Sequence, residues 1–247
     1  MRVLFLTKSK PYTLKFLEWM VQVGFQVIVV SKDKLVLENT KMKKYCEEQG
    51  ILVLDNEGLY REIKNQSIPP VDLAISNTFG RLIKKDLIDF VTGNCFNFHC
   101  AILPDYKGLF VYNHGIFNGE KEWGVTAHYV NEKFDEGDII EIRRFSILPQ
   151  SITIKELEEQ AQSLAYKMSV DLISNFKEGK SFCRTKQYCL GKGRYYSKED
   201  FEQLKKVTEN DDAETIRRKI HACWCPPYEG AYIERDGVRF ELKEAIT

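Results

Sequence analysis

The chain has 247 residues, of which 36 are Lys or Arg and 36 are Asp or Glu, so its formal net charge is zero. This balance argues against a protein that binds nucleic acid through many phosphate contacts, because such proteins carry a basic surplus. With 43% apolar residues, the chain can build one large core or two modest ones. Its seven scattered cysteines do not indicate a disulfide framework.

The N-terminus has four apolar residues, 3–6, before polar residues return, which is too short a run for a signal peptide. No run approaches the roughly 18 apolar residues of a membrane span. The pairs Cys95 with Cys100 and Cys223 with Cys225 lack the repeated C-x-x-C spacing of a zinc site. We therefore expect a cytoplasmic protein with reduced thiols, no bound metal and no membrane partner.

Short apolar runs alternate with amphipathic ones over the first hundred residues, which is the pattern of βαβ units. The predicted strands are 3–6, 25–31, 51–54, 72–76 and 95–100, and the predicted helices are 13–23, 34–49 and 81–91. Together they indicate an α/β fold with an open, mostly parallel sheet. Such sheets bind ligands beyond the carboxyl ends of their strands, here near residues 7–12, 76–81 and 97–108.

The pattern changes after residue 120. Residues 123–147 are β-rich and are interrupted by an Asp-Glu-Gly loop at 135–137. A capping box, Thr153 with Glu156, opens a helix that should run to about Gly179. Asp-Gly at 236–237, between two alternating runs, predicts a hairpin. We expect a catalytic domain over 1–185 and a small C-terminal α+β domain over 186–247.

One predicted strand carries side chains that could act in catalysis. Asn97 and His99 share a face because side chains alternate along a strand, and they lie at its carboxyl end. An amide there can donate to a developing oxyanion, and an imidazole can move a proton near neutral pH. A carboxylate such as Asp135 would hold the imidazole in one tautomer. This combination suits acyl transfer.

Four segments extend this observation: Asn-Phe-His at 97–99, Leu-Pro-Asp-Tyr-Lys-Gly at 103–108, Gly-Val-Thr-Ala-His at 124–128 and Asp-Glu-Gly at 135–137. In this order they resemble the catalytic core of the 10-formyltetrahydrofolate-dependent formyltransferases, which have a Rossmann-like formyltransferase fold. The resemblance implies 10-formyltetrahydrofolate as the cofactor. It also implies that Asn97, His99 and Asp135 are catalytic, and that Thr126 and His128 support them.

The same resemblance places the segment after the fourth strand against the folate, where backbone groups would read the pterin. The residues concerned are Ser76, Asn77, Thr78, Phe79, Gly80, Arg81, Leu82 and Ile83, and Asp138 is assigned to the same site. Asp138 is also the rival of Asp135 as the catalytic acid, since it lies three residues further along the chain. An ordinary turn after a strand remains the alternative for residues 76–83.

Two loops are expected to bind the acceptor. After the first strand come Lys8, Ser9, Lys10 and Tyr12, and no acid precedes Glu18. A cationic, hydroxyl-bearing loop before a helix can hold phosphate, although a solvated pair of lysines would look the same. The second loop comprises Pro104, Asp105, Tyr106, Lys107 and Gly108. A phosphorylated acceptor is therefore favoured.

The C-terminal 57 residues carry 11 basic and 12 acidic side chains, whereas a methionyl-tRNA formyltransferase should have a larger domain and a basic surplus. The segments around 193–200, 216–222 and 226–231 resemble the sugar N-formyltransferases. This implies a dTDP-linked amino sugar as acceptor, a 4-amino-4,6-dideoxyhexose by family frequency, for bacterial O-antigen or another surface polysaccharide. The apolar C-terminal hairpin suits a homodimer interface.

Several alternatives remain open at this point. The acceptor could be a GDP-linked or 3-amino sugar, glycinamide ribonucleotide or methionyl-tRNA. A hydrolase that releases formate from the same folate is a further candidate. A protein of a different class, a non-catalytic module that binds a nucleotide sugar or folate, would have no need to keep Asn97, His99 and Asp135 together.

Overall fold

The computed structural model describes residues 1–33 and 37–243. A seven-stranded sheet with the order β3-β2-β1-β4-β5-β7-β8 forms its centre. The strands of the chain are β1 (Arg2–Thr7), β2 (Gln26–Ser31), β3 (Val53–Asp55), β4 (Leu73–Asn77), β5 (Cys95–His99), β6 (Lys107–Gly108), β7 (Glu122–Tyr129), β8 (Ile139–Ser146), β9 (Tyr195–Tyr196), β10 (Tyr232–Arg235) and β11 (Val238–Glu241). The five strands from β3 to β5 are parallel, and β7 and β8 are antiparallel to their neighbours. The mostly parallel α/β sheet is therefore confirmed.

Helices cover both faces of this sheet. They are α1 (Pro11–Gln22), α2 (Lys41–Glu48), α3 (Asn56–Lys64), α4 (Lys85–Phe90), α5 (Val111–Asn118), α6 (Ile154–Lys177), α7 (Lys198–Lys205) and α8 (Ala213–Cys223). In β1, Val3 and Phe5 belong to the core on one face, whereas Leu4 and Leu6 belong to the core on the other. Because a parallel sheet is buried on both sides, its strands are continuous apolar runs, which is why the sequence predicts them well.

The long helix α6 begins where the capping box predicts. Thr153 Oγ1 accepts from the Glu156 backbone N–H at 3.2 Å, and a Glu156 carboxylate oxygen accepts from the Thr153 N–H at 2.9 Å. These bonds satisfy donors that a helix N-terminus leaves free. The apolar face of α6, including Leu157, Ala161 and Met168, packs in the larger core.

The helix predicted over 34–49 is shorter in the structure. It begins at Lys41, and Thr40 Oγ1 caps it by accepting from the Lys43 N–H at 3.2 Å. Residues 37–40 form a turn, while residues 34–36 lie outside the described part of the chain. The prediction of a helix from residue 34 therefore placed its start too early. The hydrophobic pattern does not show where a helix begins, and the Thr40 cap that does show it was not recognised.

Helices α3 and α5 are absent from the sequence prediction. The first follows β3 without a linker, since Asp55 is the last strand residue and also caps the helix at Gly58 N. The second follows Phe110, whose φ is 52°, and it contains Gly115, where a Cβ atom would lie 2.2 Å from the Trp123 ring. Glycine is a weak helix former, but packing against Trp123 requires it at position 115, so helix propensity does not predict α5.

The C-terminal part contains α7, α8 and the β10–β11 hairpin around a small apolar cluster. The hairpin turn, Asp236 at φ 50° and Gly237 at φ 77°, has the two positive φ angles of a type I′ turn, so the predicted hairpin is confirmed. The division between residues 185 and 186 stays a prediction. In the part of the chain that is described, no helix has the length and apolar character needed to cross a membrane.

Candidate active site

A cavity of about 630 Å³ lies at the carboxyl end of the parallel strands. The ends of β1, β4 and β5 contribute Lys8, Ser76 and His99 to its wall, and β7 and the loop after it contribute His128 and Asp135. The position follows from the topology, because the chain leaves adjacent parallel strands at the same edge.

Asn97 is oriented by its neighbour on β7, His128. The His128 Nδ1 atom lies 2.7 Å from the Tyr129 carbonyl oxygen, and His128 Nε2 lies 2.9 Å from Asn97 Nδ2. A carbonyl oxygen can only accept, so Nδ1 carries the proton and Nε2 accepts from the Asn97 amide. The register pairs Asn97 with His128 across β5 and β7, and this pairing turns the Asn97 nitrogen toward Asp135, whose Oδ1 is 3.4 Å away.

His99 is held from the opposite side. Its Nε2–H donates to the Tyr106 carbonyl oxygen at 2.6 Å, which leaves Nδ1 facing Asp135 Oδ1 at 3.5 Å. The Tyr106 ring packs against Trp123 and stacks on Tyr196, with centroid distances of 4.9 and 5.4 Å. The main chain that fixes the imidazole is therefore itself anchored by aromatic packing.

Asp135 completes the cluster. Its Oδ2 accepts from the Gly108 N–H at 2.9 Å, and its Oδ1 faces Asn97, His99 and His128. Burial alone would raise the pKa of this carboxyl, but the nearby His99 and the hydrogen bond from the Gly108 N–H outweigh it and hold the pKa well below its usual range. Asp135 is thus a carboxylate at neutral pH, and an amide, an imidazole and a carboxylate share one wall of the cavity.

Residues 24–173 match the model of a protein family described as "Formyl transferase", a span that includes this whole cluster. The chain belongs to the formyl transferase family. The enzyme class predicted from the motifs is thereby confirmed, and this protein is a formyltransferase.

Relatives and solved structures agree with that assignment. The formyltransferase is 25% identical over 248 residues to a methionyl-tRNA formyltransferase of Thermotoga sp. (strain RQ2), covering 97% of this chain and 78% of the relative. A 4-N formyltransferase from Francisella tularensis has a TM-score of 0.78 at 18% identity, with 98% of this chain and 96% of that one covered. An N-formyltransferase from Helicobacter canadensis, solved with folinic acid and dTDP-3-aminofucose, has a TM-score of 0.75 at 21% identity, covering 96% and 84%. These structures confirm the fold.

The loop that carries Asp135 is shaped by groups distant in sequence. Asp135 has a φ of 54°, and its carbonyl oxygen and that of Gly137 accept from Gln187 Nε2 at 2.7 and 2.9 Å. A Cβ atom at Gly137 would lie 1.6 Å from the Tyr129 carbonyl oxygen, so only glycine fits. Gln187 was missed from the sequence because it lies in a short 3₁₀ turn, 52 residues from Asp135, with no motif around it.

The loop at 103–109 is clamped by two parts of the formyltransferase. Thr126 Oγ1 accepts from the Leu103 N–H at 3.1 Å and donates to the Ala101 carbonyl at 2.7 Å. On the other side, the Lys107 and Leu109 N–H groups donate to carbonyl oxygens of the β9 segment, both at 2.9 Å. At Gly108, a Cβ atom would lie 2.4 Å from the Tyr196 carbonyl oxygen. Thr126 therefore supports the site through the main chain and does not line the cavity.

The segment predicted to bind folate lies largely along the cavity. Its lining members are Ser76, Thr78, Phe79, Gly80, Arg81, Leu82 and Ile83. Asn77 is buried behind them, with its Oδ1 atom unpartnered in the described part of the protein. Asp138 lies outside the lining, and its carboxylate pairs with Lys186 at 2.8 Å. The structure thus brings most of this segment, but not Asp138, to the cavity.

Only some of the residues predicted to bind the acceptor line the cavity. Lys8, Lys10 and Gly108 line the cavity, whereas the other six do not: Ser9, Tyr12, Pro104, Asp105, Tyr106 and Lys107. Tyr12 instead borders a separate, shallower depression beside α6. Burial lowers the pKa of Lys8, and the nearby charges of Lys32 and Lys10 lower it further.

Other lining residues were not predicted. Those contributed by the start of α5, by α6 and by β9 are Phe110, Val111, Tyr112, Glu158, Gln162 and Tyr195. Gln162 could have been recognised from the sequence, because it places an amide inside the apolar pattern of α6. Within residues 1–33 and 37–243, no group of three or more His, Cys, Asp or Glu side chains is arranged to hold a metal ion.

Proposed function

We propose that this formyltransferase uses 10-formyltetrahydrofolate to formylate the amine of a nucleotide-linked amino sugar. The observation that carries the proposal is the convergence of Asn97, His99 and Asp135 on one wall of a cavity whose mouth is cationic. We assign these three residues to catalysis, and we assign His128 and Thr126 to their support.

The cavity fits a folate. Leu82 and Phe134 line it and are 41% and 43% exposed, so an aromatic ligand that packs against them would cover apolar surface that now faces solvent. The adjacent Phe79 and Ile83 are buried and give this wall a rigid backing. When bound, 10-formyltetrahydrofolate supplies a formyl group that is activated toward attack by an amine.

The hydrogen bonds of these side chains support the roles that we assign to them. One Asn97 N–H donates to His128, and the other donates a long hydrogen bond of 3.4 Å to Asp135 Oδ1. We propose that this second N–H donates instead to the negative charge that develops on the formyl oxygen. His99 Nδ1, with Nε2–H bound to the Tyr106 carbonyl, can take a proton from the attacking amine. Asp135 then stabilises the resulting imidazolium from 3.5 Å.

The charges at the mouth support a phosphorylated acceptor. Lys8 and Arg81 line the cavity, and Lys32 is close enough to Lys8 to lower its pKa. Neither Lys8 nor Arg81 forms an ion pair within the described residues, so their charges are available to a diphosphate. The comparison structures bound to or named for amino sugars make a dTDP-linked sugar the first acceptor to test. A 4-amino-4,6-dideoxyhexose is proposed ahead of the 3-amino sugar.

The decisive experiment mixes the purified protein with 10-formyltetrahydrofolate and separate acceptors, and follows tetrahydrofolate release. The panel contains dTDP- and GDP-linked 3-amino and 4-amino sugars, glycinamide ribonucleotide and methionyl-tRNA. Release with a dTDP-amino sugar is expected. Release with methionyl-tRNA alone would contradict the sugar proposal, and release without any acceptor would identify a hydrolase.

We also propose that the protein is a cytoplasmic homodimer that serves surface polysaccharide synthesis, such as that of O-antigen. The C-terminal hairpin presents Val238 and Phe240, each about half exposed, and the segment before it exposes Trp224 and Tyr228. Exposed apolar side chains of this kind are typical of protein interfaces. Light scattering should give a dimer mass for the native protein and a monomer mass for Phe240→Asp. A monomeric native protein would contradict this.

A further inference from the structure

An amide interrupts the apolar face of α6 at Gln162. This side chain is 5% exposed, and its helix neighbours Ala161 and Ala165 are fully buried. Amides are rarely placed in such a position unless their polar atoms are satisfied. Gln162 lines the cavity, so a ligand in the cavity can reach it.

The Gln162 amide lies close to Tyr112. The Tyr112 side chain interacts with both Gln162 and Cys100, and burial raises the pKa of Tyr112 well above its usual range, so the hydroxyl keeps its proton at neutral pH. Its oxygen can accept a hydrogen bond from the N–H of a neighbouring amide.

The carbonyl oxygen of the same amide is the second feature. Gln162 Oε1 is buried and has no hydrogen-bond partner among residues 1–33 and 37–243. One helical turn before it, Glu158 also lines the cavity and pairs with Lys10 at 3.0 Å. The end of the cavity lined by α5 and α6 thus holds a buried hydrogen-bond acceptor without a donor, next to the Lys10–Glu158 ion pair. Such an unpaired atom is costly.

We propose that Gln162 is a specificity-determining residue for the acceptor, and that its Oε1 accepts a hydrogen bond from a ring hydroxyl of the amino sugar. This inference rests on the proposed function and deepens it. A site built to bond one hydroxyl discriminates strongly against analogues that lack it, because its own polar atom is then left unpaired. The Gln162 side chain is already buried, so little side-chain freedom is lost when the sugar binds.

The test compares Gln162→Met with Gln160→Met. Methionine keeps the length of the side chain and removes the amide. Gln160 lies on the same helix but is exposed and borders the other depression, so it is a matched control. Gln162→Glu keeps an acceptor oxygen near the same place and serves as the second variant.

With dTDP-4-amino-4,6-dideoxyglucose and 10-formyltetrahydrofolate, Gln162→Met should raise the KM for the sugar by about tenfold. The kcat, the dissociation constant for folinic acid and the Tm should stay near the native values, while Gln162→Glu should recover part of the lost affinity. An unchanged KM would overturn the proposal. A joint loss of Tm and folinic acid affinity would also overturn it, since that pattern marks a purely structural role.

Sugars that lack one ring hydroxyl give an independent readout. One such analogue should raise the KM of the native protein by about tenfold and leave the KM of Gln162→Met unchanged. Equal losses by both proteins for every analogue would refute the role of Gln162 and leave the proposed function standing. If the native protein formylates no amino sugar, the proposed function itself fails, and this inference fails with it.

Discussion

The Nδ1 atom of His99 lies 3.5 Å from Oδ1 of Asp135, although the two residues belong to different segments. His99 ends β5, and Asp135 lies in the connection between β7 and β8. Because β7 is antiparallel to β5, Tyr129 at its end pairs with Phe96 near the start of β5. The loop that follows must fold back along β5 to bring Asp135 close to His99. The tight turn at Asp135 then directs the carboxylate back toward the imidazole.

Replacement of Asp135 by Asn should lower kcat by about a hundredfold or more, because proton transfer through a positioned side chain contributes on this scale. Tetrahydrofolate release under saturating substrates is the measurement. Asp138→Asn is the matched control, since its carboxylate binds Lys186 outside the cavity. That variant should keep kcat within about threefold of the native value. Similar losses in both variants would show that Asp135 has no special role.

Gln187→Leu should lower kcat by about tenfold while the KM values change little, because the two donors that hold the Asp135 turn are lost. The free energy of unfolding should fall by about 1–3 kcal/mol. Gln187→Glu has nearly the same shape but lacks the N–H donors, so it should resemble Gln187→Leu in kcat. A full kcat in Gln187→Glu would show that these hydrogen bonds do not position Asp135.

His114 should make the protein less stable in mild acid. Its ring is 5% exposed and stacks on Tyr196 at 4.1 Å, and burial, aided by the charge of Arg194, lowers its pKa to about 4. The folded pKa lies below the unfolded value of about 6.5, so the unfolded state binds more protons between these values. Stability due to His114 is complete above about pH 6.5 and is lost as the pH falls toward 4.

Urea unfolding at about pH 7.5 and about pH 5 measures this effect. The native protein should lose about 2 kcal/mol more than His114→Phe between these two conditions. Phenylalanine keeps the stacking on Tyr196 and removes the titrating group. Equal losses in the two proteins would show that His114 does not titrate in this range.

Lys8→Met should raise the KM for the nucleotide sugar by about tenfold, because a partly buried ammonium without an ion pair would lose its contact with phosphate. The native KM should also rise with salt, and the variant should respond less. Lys15→Met is the control, since Lys15 is exposed and lies over the Tyr166 ring. Equal KM values for native protein and Lys8→Met would contradict a phosphate subsite at this loop.

The sequence by itself determined the sheet, the α6 cap and the placement of Asn97 and His99 on one face of a strand. Buried parallel strands are apolar throughout, the capping box lies within four residues, and Asn97 and His99 are two positions apart on one strand. Each of these signals is local, so it can be recognised without knowledge of the rest of the chain. The start of α2 and the existence of α5 were not predicted. The hydrophobic pattern does not mark the Thr40 cap of α2, and the packing of Gly115 against Trp123 in α5 prevails over helix propensity.

Only the tertiary structure decided which polar residues meet. Gln187 reaches the Asp135 turn across 52 positions, and Gln162 meets Tyr112 only because α5 and α6 lie side by side. In the same way, Asp138 is directed to Lys186 and Tyr12 to the outer side of α6. Such contacts depend on the direction of each side chain after the helices have packed on the sheet, and no spacing in the sequence encodes that direction.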